Sequence, residues 1–411
     1  MGLIQLLVFD PKPRETLDGA SMRVFDMRPS NLGCFNPMMI HCFVRTAARG
    51  LLCLCSLGIV EATAQDSVTL KGAVAGRYQV GVGVSDLIPE RQQDWRLLTK
   101  HFEIITPENC MKTESLQPRE GQFNFATADR FVAFAKANQL EVVGHCLIWA
   151  KDDRTSPWWF KDGEQPTSKE KLLARMRTHI DTVVGRYADE VAMWDVVNEA
   201  LDDDNSVFLR DSIWTRATGE NFIVKAFKYA REKDSDALLI YNDYNSEYPG
   251  KRENTIRLLE SLQRQGAPID AFGMQGHFEI DTIRFDDLDR LFNDLRKLKL
   301  KVVVSELDID VIPRSRWWAD GGKYRDELSR TDPYRNGCPP EVLQRQAEQY
   351  AKLFDLFNKH EDIIVRVSFW NLHDGESWLN DFPWKRVNHP LLFDRSGQPK
   401  PAFKAVVDAI K

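Results

Sequence analysis

Two short apolar runs end on glutamates. V-A-M-W-D-V-V-N-E over 191–199 closes on Glu199, and K-V-V-V-S-E-L-D over 301–308 carries Glu306 near its tip. A carboxylic acid and a carboxylate facing one cleft can break a glycosidic bond: one protonates the leaving oxygen while the other attacks or stabilises the sugar cation. A glutamate taken at random belongs to a salt bridge or a helix cap, because unpaired carboxylates are rarely buried. Here the context favours chemistry. Both runs are rich in β-branched residues, as strands buried on both faces are. In a barrel of parallel strands the active site lies at the strands' C-terminal ends.

The elements needed to hold such a pair can be read along the chain. From residue 76 onward, strand-like runs at 79–85, 102–106, 141–149, 191–198, 237–242, 271–275, 301–306 and 363–370 alternate with amphipathic stretches. Helical spacing of apolar residues is clearest over 167–186, 219–232, 251–265, 285–298 and 340–359. Eight strands in βα order predict a closed (β/α)8 TIM barrel rather than a doubly wound sheet. No Pro/Ser/Gly-rich linker, low-complexity tract or internal repeat follows residue 66, so a single catalytic domain over 65–411 is expected.

Composition narrows the partners. A formal net charge of −6, a pI near 5.9 and the lack of a dense Lys/Arg block argue against nucleic acid. Seven of the eleven tryptophans, Trp149, Trp158, Trp159, Trp317, Trp318, Trp370 and Trp378, fall at strand ends or in loops, where indole rings can stack on sugars. The N-terminal stretch differs from the rest. Residues 39–49 supply Arg45 and Arg49 as a basic n-region, 51–60 an apolar h-region too short to span a bilayer, and Ala62-Thr-Ala64 a small-residue cleavage site. Residues 38–64 are therefore expected to be a signal peptide that sends the mature chain to the periplasm or outside the cell. Residues 1–37 read as an upstream extension outside the mature protein. Cleavage would leave Cys110, Cys146 and Cys338, an odd set without zinc spacing, and Cys110 and Cys146 read as small buried hydrophobes.

The strand-end runs are T-P-E-N-C-M-K over 106–112, G-H-C-L-I-W over 144–149, W-D-V-V-N-E over 194–199, Y-N-D-Y-N over 241–245, G-M-Q-G-H over 273–277, S-E-L-D over 305–308 and F-W-N-L-H-D-G-E-S-W over 369–378. In this order they resemble glycoside hydrolase family 10, the retaining endo-β-1,4-xylanases, across roughly residues 72–408. The resemblance implies that Glu199 is the general acid/base and Glu306 the nucleophile, with no cofactor and no metal. A protonated Glu199 calls for a pKa raised by poor solvation and a nearby carboxylate. His277 and Asp308 are suited to orient Glu306 and keep it ionised. Asn198 is suited to bond the 2-hydroxyl of the attacked sugar. Glu108, Asn109 and Lys112 resemble the residues that hold hydroxyls on the glycone side, and His145 and Gln275 those that contact the sugar under attack. Trp149 joins this binding shell, Trp370 and Trp378 resemble its aromatic walls, and Tyr244 and Asn245 are candidates for the aglycone side. The implied partner is xylan or a xylo-oligosaccharide, with no nucleic acid, no membrane span and a monomeric chain.

One position departs from the family pattern. A histidine usually follows the tryptophan of the third-strand motif, and here Ala150 stands there, followed by Lys151-Asp-Asp-Arg154. The change bears on sugar contacts and leaves both glutamates in place. The Asp202-Asp-Asp204 run reads as a solvated acidic loop, since it lacks an EF-hand ligand pattern. The segment 313–339, with Arg314, Arg316, Trp317 and Trp318, is expected to wall the cleft, its indoles stacking on sugar and its arginines meeting acidic substituents. Two other readings are a related β-glycanase with a different sugar preference and a glycan-binding barrel without turnover; the two glutamates oppose the second.

Overall fold

The computed structural model describes residues 68–411; the expected signal peptide and upstream extension lie outside them. Eight parallel strands form the barrel: β1 (Gln79–Val84), β2 (Ile104–Pro107), β3 (Glu141–Trp149), β4 (Met193–Asn198), β5 (Leu238–Asp243), β6 (Ala271–Met274), β7 (Lys301–Asp310) and β8 (Ile364–Trp370). Each pairs with its chain neighbours, and β8 closes the ring against β1. A helix follows each strand: α1 (Gln92–His101), α2 (Ala126–Ala137), α3 (Lys169–Tyr187), α4 (Asn221–Lys233), α5 (Pro249–Arg264), α6 (Phe285–Lys297), α7 (Pro340–Lys359) and α8 (Pro401–Ile410). Local chemistry sets several starts. Ser168 accepts a hydrogen bond from the Lys171 backbone N–H to cap α3, and prolines open α5, α7 and α8, where the missing N–H removes no helical bond.

The sequence reading placed every barrel strand, with differences confined to their ends. Strand β7 runs on to Asp310 because its outer half pairs with the short strand His277–Glu279. That pairing sets His277 in register with Asp308, two residues beyond Glu306.

The barrel interior is filled rather than open. Ile104, Val143, Met193, Ile240, Ala271 and Val303 form an apolar layer drawn from β2 through β7. Gly83 of β1 pairs with Trp370 of β8, and a Cβ there would meet the indole at 2.7 Å, so glycine lets that ring lie against the barrel wall. Cys110 and Cys146 are buried and unbridged.

Candidate active site

The two glutamates arrive by different routes. Glu199 is the first residue past β4, with a left-handed backbone at φ 59°, and its N–H bonds the Asn242 carbonyl of β5 at 2.9 Å. Glu306 lies within β7, its N–H bonded to the Gln275 carbonyl at 2.7 Å. Both side chains are buried.

Amide side chains join them. Gln275 Nε2 donates to Glu199 Oε1 at 2.9 Å and to Asn198 Oδ1 at 3.4 Å. Asn242 Nδ2 donates to the same Asn198 oxygen at 3.0 Å and to Glu306 Oε1 at 2.8 Å. Ser305 Oγ in turn donates to Asn242 Oδ1 at 2.7 Å, which fixes that amide's orientation. The Nδ2 of Asn198 is buried and has no hydrogen-bond partner among the described residues.

Around Glu306 the expected histidine–aspartate support is assembled. His277 Nε2 lies 3.1 Å from Glu306 Oε2 and its Nδ1 2.9 Å from Asp308 Oδ2, which also accepts from Trp378 Nε1 at 2.7 Å. Burial alone lowers the imidazole pKa, but the charges of Asp308 and Glu306 and the bonds to them outweigh it and raise His277 to about 9. Burial raises the Glu306 carboxyl, yet the His277 hydrogen bond and the charges of His145 and His277 bring it below the usual value. The Glu306 carboxyl is thereby favoured in its ionised form.

Glu199 departs from expectation. Burial pushes its carboxyl up, but the Lys151 ammonium at 2.6 Å from Oε2, with Gln275 and Trp149 also donating, holds it at about 2. The raised value expected from the sequence is therefore reversed, because the Lys151 charge and the three donors outweigh burial. Desolvation acts in the expected direction, and a cation from the loop after β3 overrides it. Trp149 differs in the same way: its Nε1 donates to Glu199 Oε2 at 3.0 Å, so it touches the carboxylate itself.

The other predicted residues surround this centre. His145 Nδ1 meets Asp195 Oδ2 at 2.8 Å, and its ring lies edge-on to Trp370 at 5.5 Å. Trp378 packs on His277 at 4.8 Å. Lys112 Nζ donates to Asn109 Oδ1 at 2.9 Å and lies 5.0 Å from the centre of the Trp149 ring. Burial pushes the Glu108 carboxyl up, and Glu306 is among the charges acting on it. Tyr244 is tied down through its hydroxyl, which donates to Asp203 and accepts from Arg210, each at 2.8 Å. Asn245 is exposed beside it. Asp203 remains exposed, as expected of the acidic run, while meeting an arginine and a tyrosine hydroxyl.

Some sequence expectations dissolve. Trp159 is fully buried and stacks on Trp158, so this pair belongs to the loop's packing. Trp317 stacks on Trp384 at 5.4 Å, and Arg314 is buried against Asp310, leaving neither free for a substituent. Asn242 and Asp195 were missed. A charged residue inside a buried strand must find a partner, and that rule applied to Asp195 would have pointed to His145. Among the described residues, Asp94, His373 and Glu376 come close enough to suggest a metal, but the Arg91 guanidinium already pairs with Asp94 and Glu376.

Two buried carboxylates in unlike surroundings, linked by amides at the C-terminal face of a (β/α)8 barrel, form a glycosidase arrangement. A family model described as Glycosyl hydrolase family 10 matches residues 69–409. The chain belongs to glycosyl hydrolase family 10. It is 38% identical to endo-1,4-beta-xylanase B of Paenibacillus barcinonensis, with 82% of this chain and 97% of the relative aligned. It is equally 38% identical to an endo-1,4-beta-xylanase of Geobacillus stearothermophilus over 83% and 98% of the two chains. A thermostable celloxylanase of Thermoclostridium stercorarium is 36% identical, over 85% of this chain and 89% of that one. Among solved family 10 structures, an endoxylanase retrieved from a sugarcane soil metagenome superposes with a TM-score of 0.77 at 38% identity, covering 84% of this chain and 99% of that one.

Proposed function

We infer that the protein is an endo-1,4-β-xylanase that acts with retention of configuration. The observation that carries this is the amide-linked carboxylate pair, with Glu306 kept ionised by His277 and Glu199 placed across the site. In the first step Glu306 attacks the anomeric carbon, the glycosidic bond breaks, and the leaving oxygen takes a proton from Glu199. In the second, Glu199 removes a proton from water, whose oxygen displaces the Glu306 ester. The unpartnered Nδ2 of Asn198 is a buried donor left for the sugar 2-hydroxyl, a bond that strengthens as the transition state forms. Trp370 and Trp378 supply apolar faces on the glycone side, and Tyr244 on the other.

Hydrolysis of xylan and carboxymethyl cellulose, with the anomer of the first-formed product read by NMR, tests the reading. Release of β-configured xylo-oligosaccharides supports it; an α product overturns retention. The celloxylanase relative favours a second reading, a mixed xylan–glucan preference. Comparable rates on both polymers would select it. We also propose that residues 38–64 direct export and that the mature chain starts near Gln65 as a monomer. N-terminal sequencing and light scattering of the secreted protein test both points.

A further inference from the structure

Every side-chain bond to the Glu199 carboxylate is donated to it. Gln275 Nε2 donates to Oε1, and Trp149 Nε1 and Lys151 Nζ donate to Oε2. A protonated carboxyl carries one O–H that needs an acceptor, and the Gln275 Nε2, Trp149 Nε1 and Lys151 Nζ facing it supply none. The Lys151 ammonium also lies 5.1 Å from the centre of the Tyr244 ring, so it stands between the acid/base and the aromatic face assigned above to the aglycone. Among the described residues Glu199 is its only ion-pair partner, and with 24% of its side chain exposed it has an open route to solvent.

We propose that Lys151 is a positioning residue that keeps Glu199 a carboxylate while the aglycone side is empty, and that a sugar ring entering beside Tyr244 displaces its ammonium. The proposal rests on the glycosidase reading above. It matches occupancy to the protonation state each step needs. With aglycone bound and Lys151 displaced, the carboxylate takes a proton from solvent and then delivers it to the glycosidic oxygen. Once the aglycone has left, Lys151 returns beside the carboxylate that must take the proton of the attacking water, and that proton then passes to solvent, which balances the one taken up before the first step.

Other charged groups face the site and none duplicates Lys151. Lys112 and Arg154 lie over the Trp149 ring, at 5.0 and 5.5 Å from its centre. Arg210 donates to the Glu199 backbone carbonyl at 3.2 Å and is paired with Asp203, while Lys251 is paired with Asp243 and Asp203 and lies over Tyr244. Asp152 is paired with Arg216. From β6 and β7, His277 and Glu306 pair with each other, and His145 is held by Asp195.

The test compares Lys151→Met and Lys151→Arg with the unaltered enzyme. An opposite charge in contact shifts a carboxyl by about 1–3 pH units, so Lys151→Met should move the alkaline limb of kcat/KM on xylotetraose upward by about one unit or more. Lys151→Arg should leave it in place. On a dinitrophenyl xylobioside, whose leaving group needs no proton, the limb should not move in either variant. A limb that stays put in Lys151→Met, or that moves equally on both substrates, overturns the proposal. Carbon-13 NMR titration of the Glu199 carboxyl gives the same comparison without turnover: the carboxyl should titrate higher in Lys151→Met, and an unchanged titration overturns the proposal. If the unaltered enzyme cleaved neither substrate, the xylanase reading would fall while this titration still decided the role of Lys151.

Discussion

His277 presents Nε2 to Glu306 at 3.1 Å, and its other ring nitrogen is held by Asp308 at 2.9 Å. An imidazole between two carboxylates is stabilised in its charged form, and its pKa of about 9 exceeds its ordinary value of 6.5. The folded state therefore binds this proton more tightly than the unfolded chain. The stability it contributes is complete below pH 6.5 and is lost as pH rises through about 9. Thermal unfolding should show a falling midpoint across that window, and His277→Phe should flatten the fall. The variant should also lose turnover, since Glu306 would lose its charged donor. A midpoint curve in His277→Phe that parallels the unaltered protein would remove His277 as the source.

Asn242 is expected to matter nearly as much as the residues it touches. It donates to Glu306, donates to Asn198 and accepts from Ser305. Hydrogen bonds to charged groups contribute about 1.5–3 kcal/mol, so Asn242→Ala should reduce kcat on the order of tenfold to a hundredfold. Leaving the Ser305 hydroxyl unpaired, and Asn198 Oδ1 with only the longer Gln275 bond, in a buried site should also lower unfolding free energy by about 1–3 kcal/mol. Denaturant titration and kinetics on one preparation read both effects. A stable variant with unaltered kcat would show the amide to be incidental.

The two glutamates should fail differently. Glu306→Ala removes the attacking carboxylate and should abolish turnover on every xyloside while circular dichroism stays unchanged. Glu199→Ala should spare aryl xylosides with good leaving groups in the first step and should regain rate with added azide, which needs no base to deprotonate it. Equal losses on good and poor leaving groups would count against the acid/base assignment.

These expectations could be read from sequence to the extent that backbone pattern determines position. A β-branched run ending on Glu marks a strand tip whatever the loops do, which is why Glu199 and Glu306 were legible, while His277 and Asp308 were legible only through the resemblance of the strand-end runs to the family. Asn242 escaped because it closes an apolar run without a charge to flag it. The Lys151–Glu199 pair escaped for another reason: it depends on a flexible four-carbon side chain from the β3 loop reaching the tip of β4, and residue spacing holds no information on that reach. The extension of β7 to Asp310 was hidden likewise, because its partner is a three-residue strand with no pattern of its own.

The segment after β7 gives the last prediction. It is built from short helical turns at Ser315–Trp317, Ala319–Gly322 and Arg325–Leu328, and its first arginine is structural: Arg314 pairs with Asp310 at 3.0 Å and donates to the His277 carbonyl at 3.2 Å. Trp318 is different. It is 47% exposed and lies 5.8 Å from Phe382, itself 40% exposed and stacked at 5.0 Å on Trp378. Trp378 packs on His277, so these rings form an aromatic shelf running outward from His277. A shelf of this kind offers stacking area to a chain longer than the bond being cut. Trp318→Ala should therefore alter the product profile on decorated xylan and raise KM for the polymer, while hydrolysis of a small aryl xyloside stays within about threefold, because a lone exposed side chain away from the core costs little stability. Chromatography of the products against time, beside aryl xyloside kinetics, separates the two effects. If both substrates slow together, Trp318 braces the loop and does not bind sugar.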